Sequence, residues 1–159
     1  MHRSKPSLAL GMWADYITEE EEMPGAQWAA RIGAIFYILW GVFHLMAAQT
    51  IFGLAALANG MTRARLQQDA FYLLAFAVAG MAIAVFLNWR NDRWGYWLNA
   101  VLLGVADIPF VIFVLIPGLA PPWPGLAGPL LWAIAFALTT IGRLGIGKQR
   151  LSSPRQAPP

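Results

Sequence analysis

Residues 70–89, AFYLLAFAVAGMAIAVFLNW, contain no charged side chain. A helix needs about 20 predominantly apolar residues to cross the hydrocarbon core of a bilayer, because each residue rises about 1.5 Å and the core is about 30 Å thick. This stretch has the length and the composition of one transmembrane helix. It predicts that the chain is an integral membrane protein.

Three further stretches have the same character. Residues 32–62 and 125–142 contain no charged side chain, and residues 94–117 contain only Asp107. The last two are separated by a proline-rich segment, and proline interrupts a helix because it lacks an amide donor. Together the four stretches predict an all-α, four-helix transmembrane bundle.

We expect four crossings, at about residues 28–49, 70–88, 95–117 and 125–143. Residues 50–60 either extend the first helix or lie along the membrane surface, and the Asn-Gly pair that closes them is a stop signal. The transmembrane domain then covers residues 26–145. It is preceded by a tail, residues 1–25, with a short interfacial helix, and followed by a disordered tail, residues 146–159.

The overall composition supports lipid as the solvent and excludes several kinds of site. Apolar residues make up 58% of the chain and charged residues 12%, whereas a soluble domain usually carries about 25% charged residues. The chain has no cysteine, which rules out disulfides, iron–sulfur clusters and thiolate zinc sites within it. With two histidines it cannot form a three-histidine metal site, and we predict no metal site.

The basic residues indicate orientation in the membrane and do not indicate nucleic-acid binding. With four crossings, one side of the membrane holds nine of the basic residues: Arg3, Lys5, Arg31, Arg90, Arg93, Arg143, Lys148, Arg150 and Arg155. The other side holds Arg63 and Arg65. Short loops rich in Lys and Arg stay in the cytoplasm, so we expect both termini to be cytoplasmic and the location to be the cell (inner) membrane.

Asp107 is the most informative residue for function. An ionised carboxylate at the membrane centre costs roughly 2.5–3.5 kcal/mol on insertion scales, so its presence indicates a partner, a cavity or a bound proton. Pro109 cannot donate to the carbonyl of Val105, which leaves an acceptor near the carboxyl group and predicts a kink. Asp107 then belongs either to an ion or substrate site or to a protonated link between helices.

His44 is expected at the same depth as Asp107. It follows Arg31 by 13 residues, as Asp107 follows Arg93 by 14, on helices that run in the same direction. The two depths differ by about 1.5 Å, so the side chains form a hydrogen-bonded pair if the first and third helices are adjacent. The alternative is a neutral His44 that donates to a backbone carbonyl. Tyr37, seven residues before His44, extends the polar track inward.

Three other polar residues are candidates for contacts. Asn99 lies about one turn inside the third span, where an amide hydrogen-bonds across the bundle. Arg90 and Arg93 lie in the loop between the second and third spans. They either contact phosphate head groups or an anionic substrate, or serve only as topology anchors in a short hairpin turn.

The sequence leaves three classes of function open. The first is a non-catalytic subunit of a membrane complex, or a protein that binds lipid or another hydrophobic ligand, as a homo-oligomer or with other subunits. The second is a small proton-coupled transporter that uses Asp107 and His44. The third is a membrane enzyme acting on a lipid, a quinone or an isoprenoid, with one of these residues as acid or base.

No motif decides between these classes. The chain has no HExxH, GxSxG or Walker sequence, and no motif assigns it to a known family. The cofactor is left open. Haem ligation by His44 requires a second axial ligand from another subunit, since His2 lies outside the spans.

Overall fold

The computed structural model describes residues 25–152, with side chains as far as residue 145, and all regular structure in this part of the chain is helical. The four long helices are α1, Gly25–Leu57; α2, Gly60–Phe86; α3, Arg93–Phe110; and α4, Ala127–Ser152. Four helical stretches within the described residues are long and apolar enough to cross a membrane: Gly25–Leu57, Gly60–Arg90, Arg93–Leu115 and Ala127–Gly145. The predicted all-helical pattern, with four helices long and apolar enough to span a membrane, is confirmed for the described residues.

The hairpin between α1 and α2 differs from the predicted spans. α1 continues to Leu57, and the chain breaks only at Ala58 and Asn59, where the Asn-Gly pair predicts a stop. α2 begins at Gly60, well before the start predicted at residue 70. The intervening residues are mostly Arg, Gln, Ala and Leu, which have high helix propensity. An uncharged stretch therefore identifies the apolar part of a helix, but it does not show that the helix continues into neighbouring polar residues.

α3 changes its hydrogen-bonding pattern after Pro109, where a kink is predicted. The helix continues from Phe110 into a π-helical segment, Val111–Leu115. The amide of Val111 still donates to the carbonyls of Asp107 and Ile108, four and three residues earlier. The ladder widens after that, where the amide of Ile116 donates to the carbonyl of Val111, five residues earlier.

The four helices form a ring in which α1 and α3 are not neighbours. α1 packs against α2 and α4, and α3 packs against the same two helices. α1 and α3 therefore face each other across the diagonal of the bundle. The condition given for the His44–Asp107 pair, that the first and third helices are adjacent, is not met, and a contact between them has to cross the centre.

The pairing of α1 with α4 depends on small residues. A Cβ added at Gly142 would lie 2.8 Å from the carbonyl oxygen of Ala26 and 3.1 Å from the amide nitrogen of Ala30. A Cβ at Gly33 would lie 2.8 Å from Cγ2 of Thr139. Backbones this close leave no space for a methyl group, which is how helices gain contact where lipid supplies no hydrophobic driving force.

We predict that Gly142→Ala lowers stability and that Gly53→Ala does not. The new methyl group at position 142 meets backbone of α1, which cannot rotate away, and overpacking of this kind typically costs about 1–3 kcal/mol. Gly53 lies on α1 with nothing within 4 Å of its added Cβ, so helix propensity favours alanine there. Thermal unfolding of the two variants in detergent is the measurement. Equal midpoints would contradict the packing described.

Candidate functional site: a buried Trp40–His44–Asp107 cluster

Asp107 is buried at the centre of the bundle, with both carboxyl oxygens in contact with α1. It is 2% exposed. The indole Nε1 of Trp40 donates to Oδ2 at 2.6 Å. The imidazole Nε2 of His44 lies 3.3 Å from Oδ1. The predicted contact between His44 and Asp107 is therefore present, and the long side chains of Trp40 and His44 carry it across the diagonal.

His44 is fixed from its other side by its own helix. Its Nδ1 lies 2.9 Å from the carbonyl oxygen of Trp40, one turn earlier. The imidazole also stacks on the Trp40 ring, with centroids 3.7 Å apart and planes inclined by 21°. Both arrangements predicted as alternatives, the pair with Asp107 and the bond to a backbone carbonyl, thus occur together. Both ring nitrogens are engaged.

These contacts determine how many protons the cluster holds. A carbonyl oxygen only accepts, so Nδ1 of His44 carries a hydrogen. If Nε2 and Oδ1 were both unprotonated, two lone pairs would face each other at 3.3 Å in a buried place. We therefore predict that one proton lies between them, either on His44 as an imidazolium or on Asp107 as a carboxylic acid. In both forms the pair has no net charge.

No protein-family model matches the chain, and no curated protein or solved structure is significantly similar to it.

Gly128 places the cluster beside the start of α4. A Cβ at Gly128 would lie 2.6 Å from Cε1 of His44 and 3.4 Å from Oδ1 of Asp107. Gly128 is in the first turn of α4, whereas His44 lies near the middle of α1. The cluster is thus level with the first turn of α4 and with the middle of α1. The amino end of α4 carries partial positive charge, which favours an acidic group there.

Trp40 is the member of the cluster that the sequence analysis missed. It is fully buried, and its indole supplies the shortest hydrogen bond to Asp107. A tryptophan inside an apolar span has no distinctive sequence signal, because its ring packs equally well in a core or against lipid. Its position four residues before His44 is the available signal, since residues four apart share a helix face.

Tyr37 and Asn99 are both buried, but neither joins the cluster by a hydrogen bond. Tyr37 lies in the apolar core, and its hydroxyl has no hydrogen-bond partner among the described residues. Asn99 donates to Oδ1 of Asn88 at 2.7 Å and to the carbonyl of Gly80 at 3.2 Å. The predicted cross-helix hydrogen bonding of Asn99 is confirmed, and it links α3 to α2. The polar track predicted for Tyr37 is not formed by direct hydrogen bonds.

Arg90 and Arg93 lie at the end of the bundle that contains the loop between α2 and α3. Both side chains are exposed. The loop turns at Asn91, whose left-handed backbone (φ 54°) suits asparagine. Oδ1 of Asp92 then caps α3 by accepting from the amides of Trp94 and Gly95. The two arginines are far along α3 from Asp107 and form a separate candidate site.

We predict that Asp107→Asn retains most of the stability and that Asp107→Leu does not. An asparagine in the same rotamer accepts from Trp40 through Oδ1 and donates to Nε2 of a neutral His44, so every contact is completed without a shared proton. A leucine leaves the indole N–H and the imidazole without partners, at a cost of roughly 1–3 kcal/mol for each buried group.

Unfolding midpoints of the two variants in the same detergent are the measurement for this pair. Leucine has the same branching and the same number of side-chain heavy atoms as asparagine, whereas alanine would leave a cavity, so the comparison isolates the hydrogen bonds from a cavity effect. Equal losses in both variants would show that the cluster does not stabilise the fold through these bonds.

Proposed function

We propose that this chain is a multi-pass protein of the cell membrane, with both termini in the cytoplasm. We propose further that it acts without catalysis, as a subunit of a membrane complex or as a protein that binds lipid or another hydrophobic ligand. A homo-oligomer satisfies the same proposal. One observation supports the non-catalytic proposal: each polar side-chain atom of Asp107 and His44 already has a partner within the chain. We call this the closure of the cluster.

Closure of the cluster argues against binding or chemistry at these residues. A general base needs a lone pair directed at its substrate, but Nδ1 of His44 faces a carbonyl and Nε2 faces Asp107. Gly128 fills the space beside the imidazole so closely that even one methyl group would collide with it. An enzyme acting on a lipid, a quinone or an isoprenoid, or a haem ligated by His44, requires the cluster to open first.

The outward faces of the helices support contact with lipid or with apolar partners. Large hydrophobic side chains are exposed along all four helices, and Phe71, Val101, Phe113 and Ile141 are examples. A water-soluble protein rarely exposes apolar surface on every side. The outside of the bundle is thus the surface available for recognition, and its interior is the part that holds it together.

The cytoplasmic position of both termini is supported by the distribution of basic residues, nine against two. The chain lacks cysteine, so a single introduced cysteine reports its own location. We predict that Asn59→Cys, between α1 and α2, reacts with a membrane-impermeant maleimide in intact cells. Ser153→Cys should react only after permeabilisation. The reverse pattern would overturn the proposed orientation.

A proton-coupled transporter is the second candidate, and one observation favours it. Nε2 of His44 and Oδ1 of Asp107 lie 3.3 Å apart on the diagonal of the bundle, where we predict that they hold one proton between them. The His44 side chain is 12% exposed, so it is not fully sealed from its surroundings. A proton held between two groups is the element that a proton-coupled carrier needs, provided that a motion connects it alternately to the two sides.

One pair of samples separates these candidates. The wild-type chain and Asp107→Asn are purified in native lipid particles for mass spectrometry of retained subunits and lipids, and are reconstituted in liposomes for measurement of proton flux under a pH gradient. We expect the same retained partner or apolar ligand in both samples and no flux that depends on Asp107, since asparagine completes the cluster. Proton flux that the substitution abolishes would overturn the first proposal in favour of the transporter.

A further inference from the structure

Arginines from two other helices converge on the loop between α2 and α3. The guanidinium carbon of Arg31, on α1, lies 5.8 Å from the ring centroid of Trp89 and 5.7 Å from that of Trp28. Arg143, on α4, donates through Nη1 to the carbonyl of Asn91 at 2.8 Å. We call the four arginines at this end the basic cluster: Arg31, Arg90, Arg93 and Arg143.

The basic cluster is not neutralised within the part of the chain that the structure describes. The one acidic residue of the loop, Asp92, uses Oδ1 to cap α3. The single ion pair found among the described side chains is that of His44 and Asp107, away from this loop. The four positive charges thus have one carboxylate nearby, and that carboxylate already accepts hydrogen bonds from backbone amides.

The surroundings of Arg31 are suited to anion binding. Its Nε is buried and has no hydrogen-bond partner among the described residues. The indoles of Trp28 and Trp89 are close enough to the guanidinium for cation–π attraction, which holds the side chain in place. A buried guanidinium N–H without an acceptor is costly. Arg31 as a residue is only partly buried, and the planar fork of its guanidinium matches phosphate geometry.

The tryptophans around the basic cluster identify the environment of that anion. Trp28, Trp89 and Trp94 are each at least two-fifths exposed, and all three lie at this end of the bundle. Exposed indoles beside apolar spans mark the level of lipid head groups. Basic side chains at that level attract the anionic lipids of the cytoplasmic leaflet.

We propose that the basic cluster binds the phosphate of an anionic phospholipid, with Arg31 as its central ligand and Arg90 as an outer contact. The proposal rests on the membrane orientation proposed above. It assigns a role to Arg31, and it makes the loop end of the bundle a lipid-recognition site in addition to a topology signal.

The test uses the full-length chain in nanodiscs that contain phosphatidylglycerol and phosphatidylcholine, with native mass spectrometry of the lipids that stay bound. Arg31→Gln should lower the preference for phosphatidylglycerol about fivefold, the change expected for one basic residue near the membrane surface. Arg63→Gln is the matched control, because it removes the same charge from the opposite end of the bundle. Its preference should equal that of the wild type.

Two further arms make the result decisive. Arg90→Gln changes an exposed side chain, so it tests the site even if Arg31→Gln fails to fold, and it should also lower the preference. Millimolar inorganic phosphate should leave the bound lipid in place.

Three results would overturn the lipid proposal. They are displacement of the lipid by free phosphate, equal losses in Arg31→Gln and Arg63→Gln, and no loss in either variant at position 31 or 90. A chain that fails to enter nanodiscs would instead contradict the membrane placement itself.

Discussion

The architecture depends on a carboxyl group that has no water to solvate it. Asp107 is 2% exposed, and an ionised carboxylate without partners in such surroundings costs a few kcal/mol on insertion scales, which is a large share of a protein's net stability. The chain meets this constraint with two partners from one turn of α1, the indole of Trp40 and the imidazole of His44. Because α1 and α3 are diagonal in the ring, these contacts run through the centre of the bundle and restrain both helices at once.

The rest of the structure surrounds that contact with close backbone packing. Gly128 lets the first turn of α4 approach the imidazole, and Gly41 lets α1 approach Met81 of α2. At the loop end, Asn91 donates to the carbonyl of Gly142 and so connects the turn after α2 to α4. Polar contacts and small residues thus hold the helices of this bundle together, a role that buried large apolar side chains have in a water-soluble core. Trp40 and Leu103 are buried, but most of the large apolar side chains lie on the outside.

Much of the fold follows from the sequence, and part of the site does too. No charged side chain lies between Arg31 and Arg63, or between Asp69 and Arg90. Such uncharged stretches predict apolar helices, because a helix that crosses lipid consists mostly of apolar residues. Counting residues from the basic ends brings His44 and Asp107 to one level, since helical rise is constant. The sequence does not show which helices are neighbours, because four helices of similar apolar composition can pack in several orders. Trp40 is missed for a related reason: an indole in an apolar span looks like any other large apolar residue.

The central claim is that Asp107 and His44 share one proton while Nδ1 of His44 carries another. Nitrogen-15 NMR of the imidazole tests it directly, and His2→Gln leaves His44 as the single histidine to be observed. The account predicts a protonated Nδ1 bonded to a carbonyl, together with either a protonated Nε2 or, by infrared spectroscopy, a carboxylic acid at Asp107. An imidazole with an unprotonated Nδ1, or a neutral Nε2 facing an ionised carboxylate, would contradict it.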